Sequence, residues 1–530
     1  MSPPTQRGWG SHEPKNPGPG WCADAHGRYE QRALGWYRQT KATKRGGKGI
    51  GKSEQLVISD EGGEPNRRDP LEQRGCRIAE LSEGKTMGAS EPASVSTKQR
   101  RIAELARQMP EKAMTSLSQH MEIDWMREAF RRTRKDGATG IDGQTAQEYA
   151  ERLDANLLSL LDRAKGGDQY KAPPVRRVFI PKGDGSLRPL GIPTFEDKVL
   201  QRAVVMALEP LYEQDFLDCS YGFRPGRSAH GALESIWQQL MDMDGGWVLD
   251  ADIRQYFDKL DHTHLREILA QRMRDGVIKR LIGKWLKAGV LDKGCITHPE
   301  TGTPQGGVIS PMLANIYLHE VLDVWFERDV KPRLQGRAFL VRYADDFIMG
   351  FELGSDARRV QEVLPKRFEK YGLTLHPEKT RLVPFSRPRG PKDPPERRPG
   401  HFDFLGFTHY WGTSKNGRWV VKRKTMKSRF SRAIKRIGEW MSRNRHRPLK
   451  EQQRTLWQKL RGHFQYYGIT GNSKSLCKFH FQVIRLWRKW LDRRSQRAKV
   501  NWAKMGRILE RYPLPKPIAY RSLLKHAANP

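Results

Sequence analysis

Two continuous apolar runs flank a pair of adjacent aspartates in the second half of the chain. The runs are residues 339–341 and 347–349, and Asp345 and Asp346 lie between them. Runs rich in Val, Ile and Phe are typical of buried strands, so the pattern predicts a hairpin with a tight turn at residues 344–346. Because adjacent carboxylates repel each other and lose hydration in a core, we expect the turn to hold them at the sheet edge.

A second strand is predicted at residues 247–253, where Val248, Asp250 and Asp252 share one face. Asp252 ends this apolar run, which makes it the natural partner of the aspartate pair. Asp250 and Asp258 are alternatives, since spacing alone does not choose among them. Carboxylates at a sheet edge suit Mg²⁺, and two such ions can clamp a phosphoryl transfer. The alternative is an ordinary polar turn.

The remaining apolar pattern predicts two more strands and a series of helices. The strands are residues 175–181, which lead into a hairpin around Asp184 and Gly185, and residues 402–407, which Gly406 interrupts. Helical spacing predicts helices at 102–107, at 123–134, through Leu153 and Leu160, through Leu200, Val204, Leu208 and Leu211, through Leu313, Ile316, Leu318 and Val321, and along a stripe of Leu476, Phe479, Val483, Leu486 and Trp490.

Residues 1–99 differ from the rest of the chain. They are rich in Gly, Pro, Ser and charge and show little apolar periodicity, which predicts a largely disordered, low-complexity extension. The alternative is that its aromatic residues, Trp21, Tyr29, Trp36 and Tyr37, order against RNA.

The net charge indicates more about the binding partner than the chain length does. The 530 residues carry a formal charge of +36, and residues 401–530 hold 32 Lys and Arg against 5 Asp and Glu. This basic C-terminal segment predicts a polyanionic partner, with an anionic membrane surface as the weaker alternative. No apolar run approaches the ~20 residues that span a bilayer, and the N-terminus shows no signal-peptide segment. Five scattered cysteines without a C-x-x-C pair favour a reducing compartment over a zinc ribbon or a disulfide framework.

Three loops and one helix carry candidate ligand-binding residues. Lys182 and Arg188 flank a Gly-rich hairpin that could hold a triphosphate, although a solvated hairpin is the favoured interpretation of this segment taken alone. Gln305 precedes two glycines at the start of a helix, where backbone can approach a ligand closely; a helix-start turn is the alternative. The aromatic, Gly-rich and Arg-rich loop 220–230 suits backbone phosphates and stacked bases, with an ordinary surface loop as the alternative. On the last long helix the excess of positive charge is too large for a solvated face alone. The candidate RNA-binding residues of these two segments are Arg224, Arg227, Arg488, Arg493, Arg494 and Arg497.

Taken together, these motifs resemble a known family. Residues 342–346, 252–258 and 303–311 occur in the order and spacing of reverse transcriptases. With residues 221–227 and 404–407, the chain resembles bacterial group II intron-encoded reverse transcriptase/maturases from about residue 100 to about 520.

The resemblance implies an α+β right-hand polymerase that copies RNA into DNA and binds its intron RNA to assist splicing and mobility. It implies fingers over 100–245, a palm with antiparallel sheet over 246–412 and a helical thumb, or domain X, over 413–530. Two Mg²⁺ ions, dNTPs, a DNA primer or target and intron RNA are the implied cofactors and partners. A bacterial cytoplasm, with the protein bound to the nucleoid or to RNA, is the implied location.

The resemblance also implies roles for single residues. Asp252, Asp345 and Asp346 would be catalytic and bind the metal ions, with the backbone carbonyl of Ile253. Residues 404–406 would lie near the primer end. The implied nucleotide-binding residues are Lys182, Arg188, Phe257 below the sugar, Gln305, and Lys379 as proton donor to the pyrophosphate.

The chain departs from the family pattern in two places, which limits the functions that the resemblance implies. Many relatives end in a cysteine-bearing HNH endonuclease, whose cysteines are missing after residue 517, so we expect no target-DNA cleavage by such a domain. Residues 1–99 match no part of the polymerase core. The alternatives to an intron-encoded polymerase are a retron- or defence-type reverse transcriptase, a splicing-only maturase, and an RNA-dependent RNA polymerase.

Overall fold

The computed structural model describes residues 94–167, 169–181, 187–292, 295–297, 306–388, 390, 399–414, 416–497 and 499–521. Most of the extension predicted for residues 1–99, namely residues 1–93, therefore lies outside the described residues. Its last residues belong to the first helix, which begins at Val95 with the Ser94 side chain accepting a hydrogen bond from the amide of Thr97.

Helices make up most of the described chain. The α-helices are α1 Val95–Gln108, α2 Ile123–Arg132, α3 Ala146–Ala150, α4 Leu153–Lys165, α5 Phe195–Tyr212, α6 Ala229–Asp242, α7 Tyr256–Lys259, α8 His262–Arg272, α9 Gly276–Leu286, α10 Ser310–Leu318, α11 Gly354–Lys370, α12 Lys427–Arg443, α13 Leu449–Tyr467, α14 Ser473–Asp492 and α15 Trp502–Arg511. A π-helical segment, His319–Val330, continues α10, and short 3-10 turns occur at Leu117–His120 and Lys331–Arg333.

The strands form three sheets that are mostly antiparallel. They are β1 Val175–Pro181, β2 Leu187–Ile192, β3 Trp247–Asp252, β4 Val290–Asp292, β5 Cys295–Thr297, β6 Ala338–Tyr343, β7 Asp346–Phe351, β8 Arg381–Pro384, β9 Phe402–Phe404, β10 Phe407–Thr413 and β11 Trp419–Thr425. The orders are β2-β1-β4-β5, β11-β10-β9 and β6-β7-β3-β8. Only the β1–β4 pair among these ladders is parallel.

The sheet β6-β7-β3-β8 confirms the predicted hairpin and its partner strand. Strand β6 pairs with β7 across a two-residue turn, and β3 lies antiparallel on the other side of β7. Asp252 is the register partner of Asp346, so the ends of two strands that are remote in sequence bring their carboxylates to one edge.

The sheet β6-β7-β3-β8 is covered by helices on one face and by α6 and the sheet β11-β10-β9 on the other. Apolar side chains of α5, α10 and α11 pack with Leu249, Phe347 and Met349 in the largest core. On the other face, Val248, Val341 and Ile348 pack with α6 and with β9–β11. Because both faces are buried, these strands read as continuous apolar runs rather than as alternating ones.

The C-terminal helices form a separate core. Helices α12 and α14 pack together, and the buried side chains of α14 are Leu476, Phe479, Val483, Ile484, Trp487 and Leu491. The predicted stripe was therefore right for its first three positions. Leu486 and Trp490 are only partly buried, because the helix repeats every 3.6 residues and the contact face drifts around it. None of the described helices is long and apolar enough to cross a membrane.

Candidate active site

The turn that carries the aspartates has an unusual backbone. Ala344 has a φ of +59°, a conformation that glycine adopts more readily than alanine, and Tyr343 and Asp346 pair on either side of the turn. Gly222 lies directly against it: a Cβ at this position would be 2.3 Å from the Ala344 nitrogen. The loop that begins at Ser220 thus supports the turn, and a larger residue at 222 would displace it.

A buried arginine holds the same turn from below. Arg342 is fully buried, and its Nη1 donates to the carbonyl of Ala344 at 3.0 Å and to Asn315 Oδ1 at 3.0 Å. Its Nε and Nη2 bind the two carboxylate oxygens of Asp323 at 2.8 and 2.5 Å. Asn315 also donates to the carbonyl of Gly222 at 2.7 Å. A buried bidentate ion pair of this kind fixes a geometry, since either partner alone would be an uncompensated charge.

The roles of Arg342, Asp323 and Asn315 were missed in the sequence. A charged residue inside a buried strand, directly after residues 339–341, was the available signal. Its acceptors lie in the π-helical segment and α10, and nothing in the local pattern identifies them.

The third aspartate is held at the end of β3. The carbonyl of Asp252 accepts from the amide of His376 at 2.8 Å, and Ile253 forms an isolated bridge with Leu375. The carboxylate Oδ2 of Asp252 accepts from Lys379 Nζ at 2.5 Å. The segment after α11 therefore brings a lysine ammonium onto a predicted metal ligand.

Burial and the repulsion of neighbouring carboxylates raise the pKa values of Asp345 and Asp346. The pKa of Asp346 is raised to about 7, by burial first and then by the charges of Asp345, Asp252 and Asp250, while Lys379 lowers it. Burial also raises the pKa of Asp345, with Asp252 adding to the effect. A cluster of carboxylates that resists ionisation by itself is electrostatically suited to a cation.

The donor set fits a divalent metal ion chemically. Carboxylate oxygens are the ligands that Mg²⁺ uses together with water and substrate phosphates. The described residues contain no ready group of three His, Cys, Asp or Glu side chains positioned to hold a metal ion.

Of the two alternative aspartates, Asp250 and Asp258, only Asp250 has a described side chain. Asp250 accepts from Arg381 Nε at 3.1 Å, and burial raises its pKa to about 6. Asp250 therefore has a basic partner on one carboxylate oxygen, as Asp252 does. The side chain of Asp258 lies outside the described residues.

The predicted nucleotide-binding residues are only partly described. Lys182 and Gln305 lie outside the described residues. Arg188 is exposed on β2, and its charge lowers the pKa of Asp345 against the opposing effect of burial, so the two groups lie close in space. Phe257 is half-buried, with its ring 5.3 Å from that of Tyr256.

The segment predicted near the primer end forms a strained turn. Leu405 and Gly406 both have positive φ, at 48° and 81°. The carbonyl of Leu405 accepts from Tyr466 Oη at 2.8 Å, which attaches this turn to α13.

The first predicted RNA-binding arginine is structural. Arg224 is 7% exposed, and its guanidinium binds Glu213 at 3.0 Å and the carbonyls of Leu217 and Ser220 at 2.7 and 2.9 Å. With its donors already used inside the protein, Arg224 does not support the predicted RNA contact. Arg227 is partly exposed, pairs with Asp218 and lies over the ring of Tyr221.

The arginines predicted on the last long helix divide into two pairs, although only Arg488 lies within α14, which ends at Asp492. Arg488 donates to the carbonyl of Val500 at 3.1 Å, and Arg494 donates to the carbonyl of His446 at 2.8 Å. These bonds tie α14 and the residues just after it to neighbouring segments, and RNA contact by Arg488 and Arg494 stays a prediction. Arg493 and Arg497 are exposed and remain candidates for RNA contact.

Comparison with known proteins places the site in a family. The family model of reverse transcriptases (RNA-dependent DNA polymerases) matches residues 180–409, which include all three aspartates. The protein YkfC of Escherichia coli strain K12 is 37% identical over 289 residues, which cover 48% of this chain and 75% of YkfC.

Other relatives are named for introns. The group II intron-encoded protein LtrA of Lactococcus lactis subsp. cremoris is 41% identical over 204 residues, 37% of this chain and 33% of LtrA. Nuclear intron maturase 2, mitochondrial, of Arabidopsis thaliana is 30% identical over 175 residues, 26% of this chain and 24% of that protein. The chain thus spans three quarters of YkfC but only a third of LtrA. On this evidence the chain belongs to the reverse transcriptase family, among the relatives of group II intron-encoded proteins and intron maturases.

Proposed function

We propose that this protein is an RNA-directed DNA polymerase encoded by a bacterial group II intron, and that it also binds the intron RNA as a maturase. The observation that carries the proposal is the meeting of Asp252 with Asp345 and Asp346 at one sheet edge, within the region that the reverse transcriptase family model matches. In this assignment β3 and β6–β8 belong to the palm, the elements before residue 245 to the fingers, and α12–α15 to the thumb or domain X.

The three aspartates would hold two Mg²⁺ ions together with the substrate phosphates. When bound, these ions supply activation of the primer 3′-hydroxyl and neutralisation of charge on the departing pyrophosphate. Arg342 keeps the aspartate turn in place through the carbonyl of Ala344, which preserves the spacing of the ligands. The carbonyl of Ile253 is the further ligand that the family resemblance implies.

The other residues bind and orient the nucleotide. Arg188, which lies near Asp345, and Lys182 would bind the triphosphate, and Gln305 would line the nucleotide pocket. Lys379 carries a proton at Nζ beside Asp252 and could transfer it to the leaving pyrophosphate. Phe257 would lie below the sugar and exclude a 2′-hydroxyl.

The maturase half of the proposal rests on the basic C-terminal segment. Residues 401–530 carry a net charge of +27, which exceeds what a short primer and template require. Surface arginines such as Arg493 and Arg497 leave their guanidinium groups available to phosphates.

Primer extension on an RNA template tests the polymerase half. Asp345→Asn and Asp252→Asn keep the side-chain shape but remove the charge, so we expect extension to be abolished while RNA binding stays within about twofold of wild type. Asp136→Asn, in an exposed pair with Arg134, is the matched control and should leave both activities unchanged. Wild-type extension by either site variant would refute the assignment.

Sugar discrimination distinguishes this function from RNA synthesis. We expect Phe257→Ala to admit ribonucleotides, since loss of the ring relieves a clash rather than removing a contact. Tyr256→Phe removes only the hydroxyl that donates to the carbonyl of Ala314 and should leave discrimination intact. An unchanged preference for dNTP over rNTP in Phe257→Ala would show that Phe257 only packs in the core and does not select the sugar.

A further inference from the structure

A buried carboxylate lies outside the metal-binding cluster and is not used by the proposed chemistry. Asp197, on α5, is 3% exposed. Its Oδ1 accepts from the Tyr170 hydroxyl and from Trp285 Nε1, the latter at 2.8 Å, and its Oδ2 accepts from Gln201 Nε2 at 2.9 Å. Removing a carboxylate charge from water costs free energy, and several hydrogen-bond donors around the carboxylate offset this cost.

Gln201 extends this network to the loop before α10. Its Oε1 accepts from the amide of Ile309 at 3.3 Å. The same loop is fixed at its other end by Gly306, where φ is +113° and a Cβ would lie 2.5 Å from the Gly191 carbonyl oxygen. A cavity of only about 20 Å³, lined in part by Asp197, Gln201 and Ile309, remains between helix and loop.

The charge of Asp197 determines which way the Gln201 amide points. An ionised carboxylate can only accept, so Gln201 must direct its NH₂ group to Asp197 and its oxygen to Ile309. The amide of Ile309 has no helical partner at this position, since the first amides of a helix lack one. Asp197 therefore controls the loop through the orientation of one side chain.

We propose that Asp197 and Gln201 are positioning residues that hold the loop at 306–309 in the conformation that binds the incoming nucleotide. This inference rests on the proposed polymerase function, in which Gln305, the residue just before Gly306, lines the nucleotide pocket. Neither residue contacts substrate in this assignment; they act through the backbone of Ile309.

Reversing the hydrogen-bond polarity tests the proposal. In Asp197→Asn the new amide NH₂ faces that of Gln201, so Gln201 turns over and presents NH₂ to the amide of Ile309. We expect KM for dNTP to rise about tenfold, the effect of a buried N–H without an acceptor, while kcat changes less. The double variant Asp197→Asn with Gln201→Glu restores both bonds and the same total charge, and should return KM to near the wild-type value.

Two further variants separate positioning from stability. Tyr170→Phe removes one donor to Asp197 without changing Gln201, so it should lower the thermal midpoint but leave KM unchanged. Gln201→Met leaves Asp197 with Tyr170 and Trp285 and should raise KM as Asp197→Asn does, even if the latter folds poorly.

Hydrogen exchange gives a readout without substrate. The peptide that contains Ile309 should exchange faster in Asp197→Asn and at the wild-type rate in the double variant. An inactive wild-type protein would refute the proposed polymerase function but leave this exchange result interpretable. Wild-type KM and exchange in Asp197→Asn, or an equal rise in KM for Tyr170→Phe, would overturn the positioning role.

Discussion

Lys379 and Asp252 form an ion pair at the centre of the candidate site, with Nζ 2.5 Å from Oδ2. The ammonium occupies an oxygen that a metal ion would need, and its charge lowers the pKa of Asp346 against the effect of burial. The lysine is therefore a competitor for the metal site as well as a candidate proton donor.

From this pair we predict that Lys379→Met binds Mn²⁺, used as a spectroscopic substitute for Mg²⁺, more tightly in the absence of nucleotide. Removal of one positive charge should tighten binding by about three- to tenfold, while kcat falls because the proton donor is lost. Electron paramagnetic resonance measures free Mn²⁺ directly. Lys366→Met, on the exposed face of α11, is the control. Weaker Mn²⁺ binding in Lys379→Met would show that the lysine organises the site.

The contact between Gly222 and the aspartate turn gives a second prediction. In Gly222→Ala the added Cβ would meet the Ala344 nitrogen at 2.3 Å, so the backbone of the turn must move. A displacement of about 1 Å at the catalytic ligands should reduce extension about 100-fold. Gly137→Ala adds the same methyl group where nothing lies within 4 Å and should be fully active. Full activity of Gly222→Ala at normal stability would show that the contact between Gly222 and the aspartate turn is not needed for catalysis.

Charge reversal just after the end of α14 tests the RNA-binding surface without changing the buried face of that helix. We predict that Arg493→Glu with Arg497→Glu weakens intron RNA binding and splicing far more than extension of a short primer at low salt. The slope of log affinity against log salt should fall by about 0.7 to 0.9 for each lost phosphate contact. Arg359→Glu with Lys366→Glu changes the net charge equally on another exposed helix.

The outcome decides between two uses of the basic segment. Equal loss of splicing and extension in the Arg493→Glu, Arg497→Glu variant would assign the basic segment to the polymerase alone. The same loss in both charge-reversed proteins would indicate a general effect of net charge.

The buried Asp197 gives a pH dependence of stability with a definite sign. Burial raises its pKa from 3.8 to about 6, partly offset by hydrogen bonds from Tyr170, Trp285 and Gln201, and the nearby charge of Glu196 raises it further. Between these values the folded protein binds a proton that the unfolded chain has lost, so the free energy of unfolding falls as pH rises from about 4 to about 6.

Urea denaturation of wild type and Asp197→Asn across pH 4–7 checks this. Their difference in unfolding free energy should change by on the order of 3 kcal/mol over the window and be flat above it. A difference that does not vary with pH would show that Asp197 titrates normally in the folded protein.

The sequence does not specify which of the candidate RNA-binding arginines are exposed. Arg224 and Arg227 occur in one short loop, and no local pattern separates them. In the folded protein Glu213 and two carbonyls surround Arg224, whereas Arg227 remains partly exposed. The same applies around the end of α14, where Arg488 and Arg494 donate to backbone carbonyls and no such bond from Arg493 occurs among the described residues.

The sequence by itself determined the features that depend on neighbouring residues. The apolar runs around Asp345 and Asp346 specified the hairpin, the run ending at Asp252 specified its partner strand, and the count of basic residues specified a polyanion as partner. Only the tertiary structure decided that Asp252 lies opposite Asp346, that Lys379 reaches Asp252, and that Gln201 bonds both Asp197 and the amide of Ile309. Strand register, burial and the sharing of hydrogen bonds are set by contacts between residues far apart in the chain, because each group must find its partner after the core has formed.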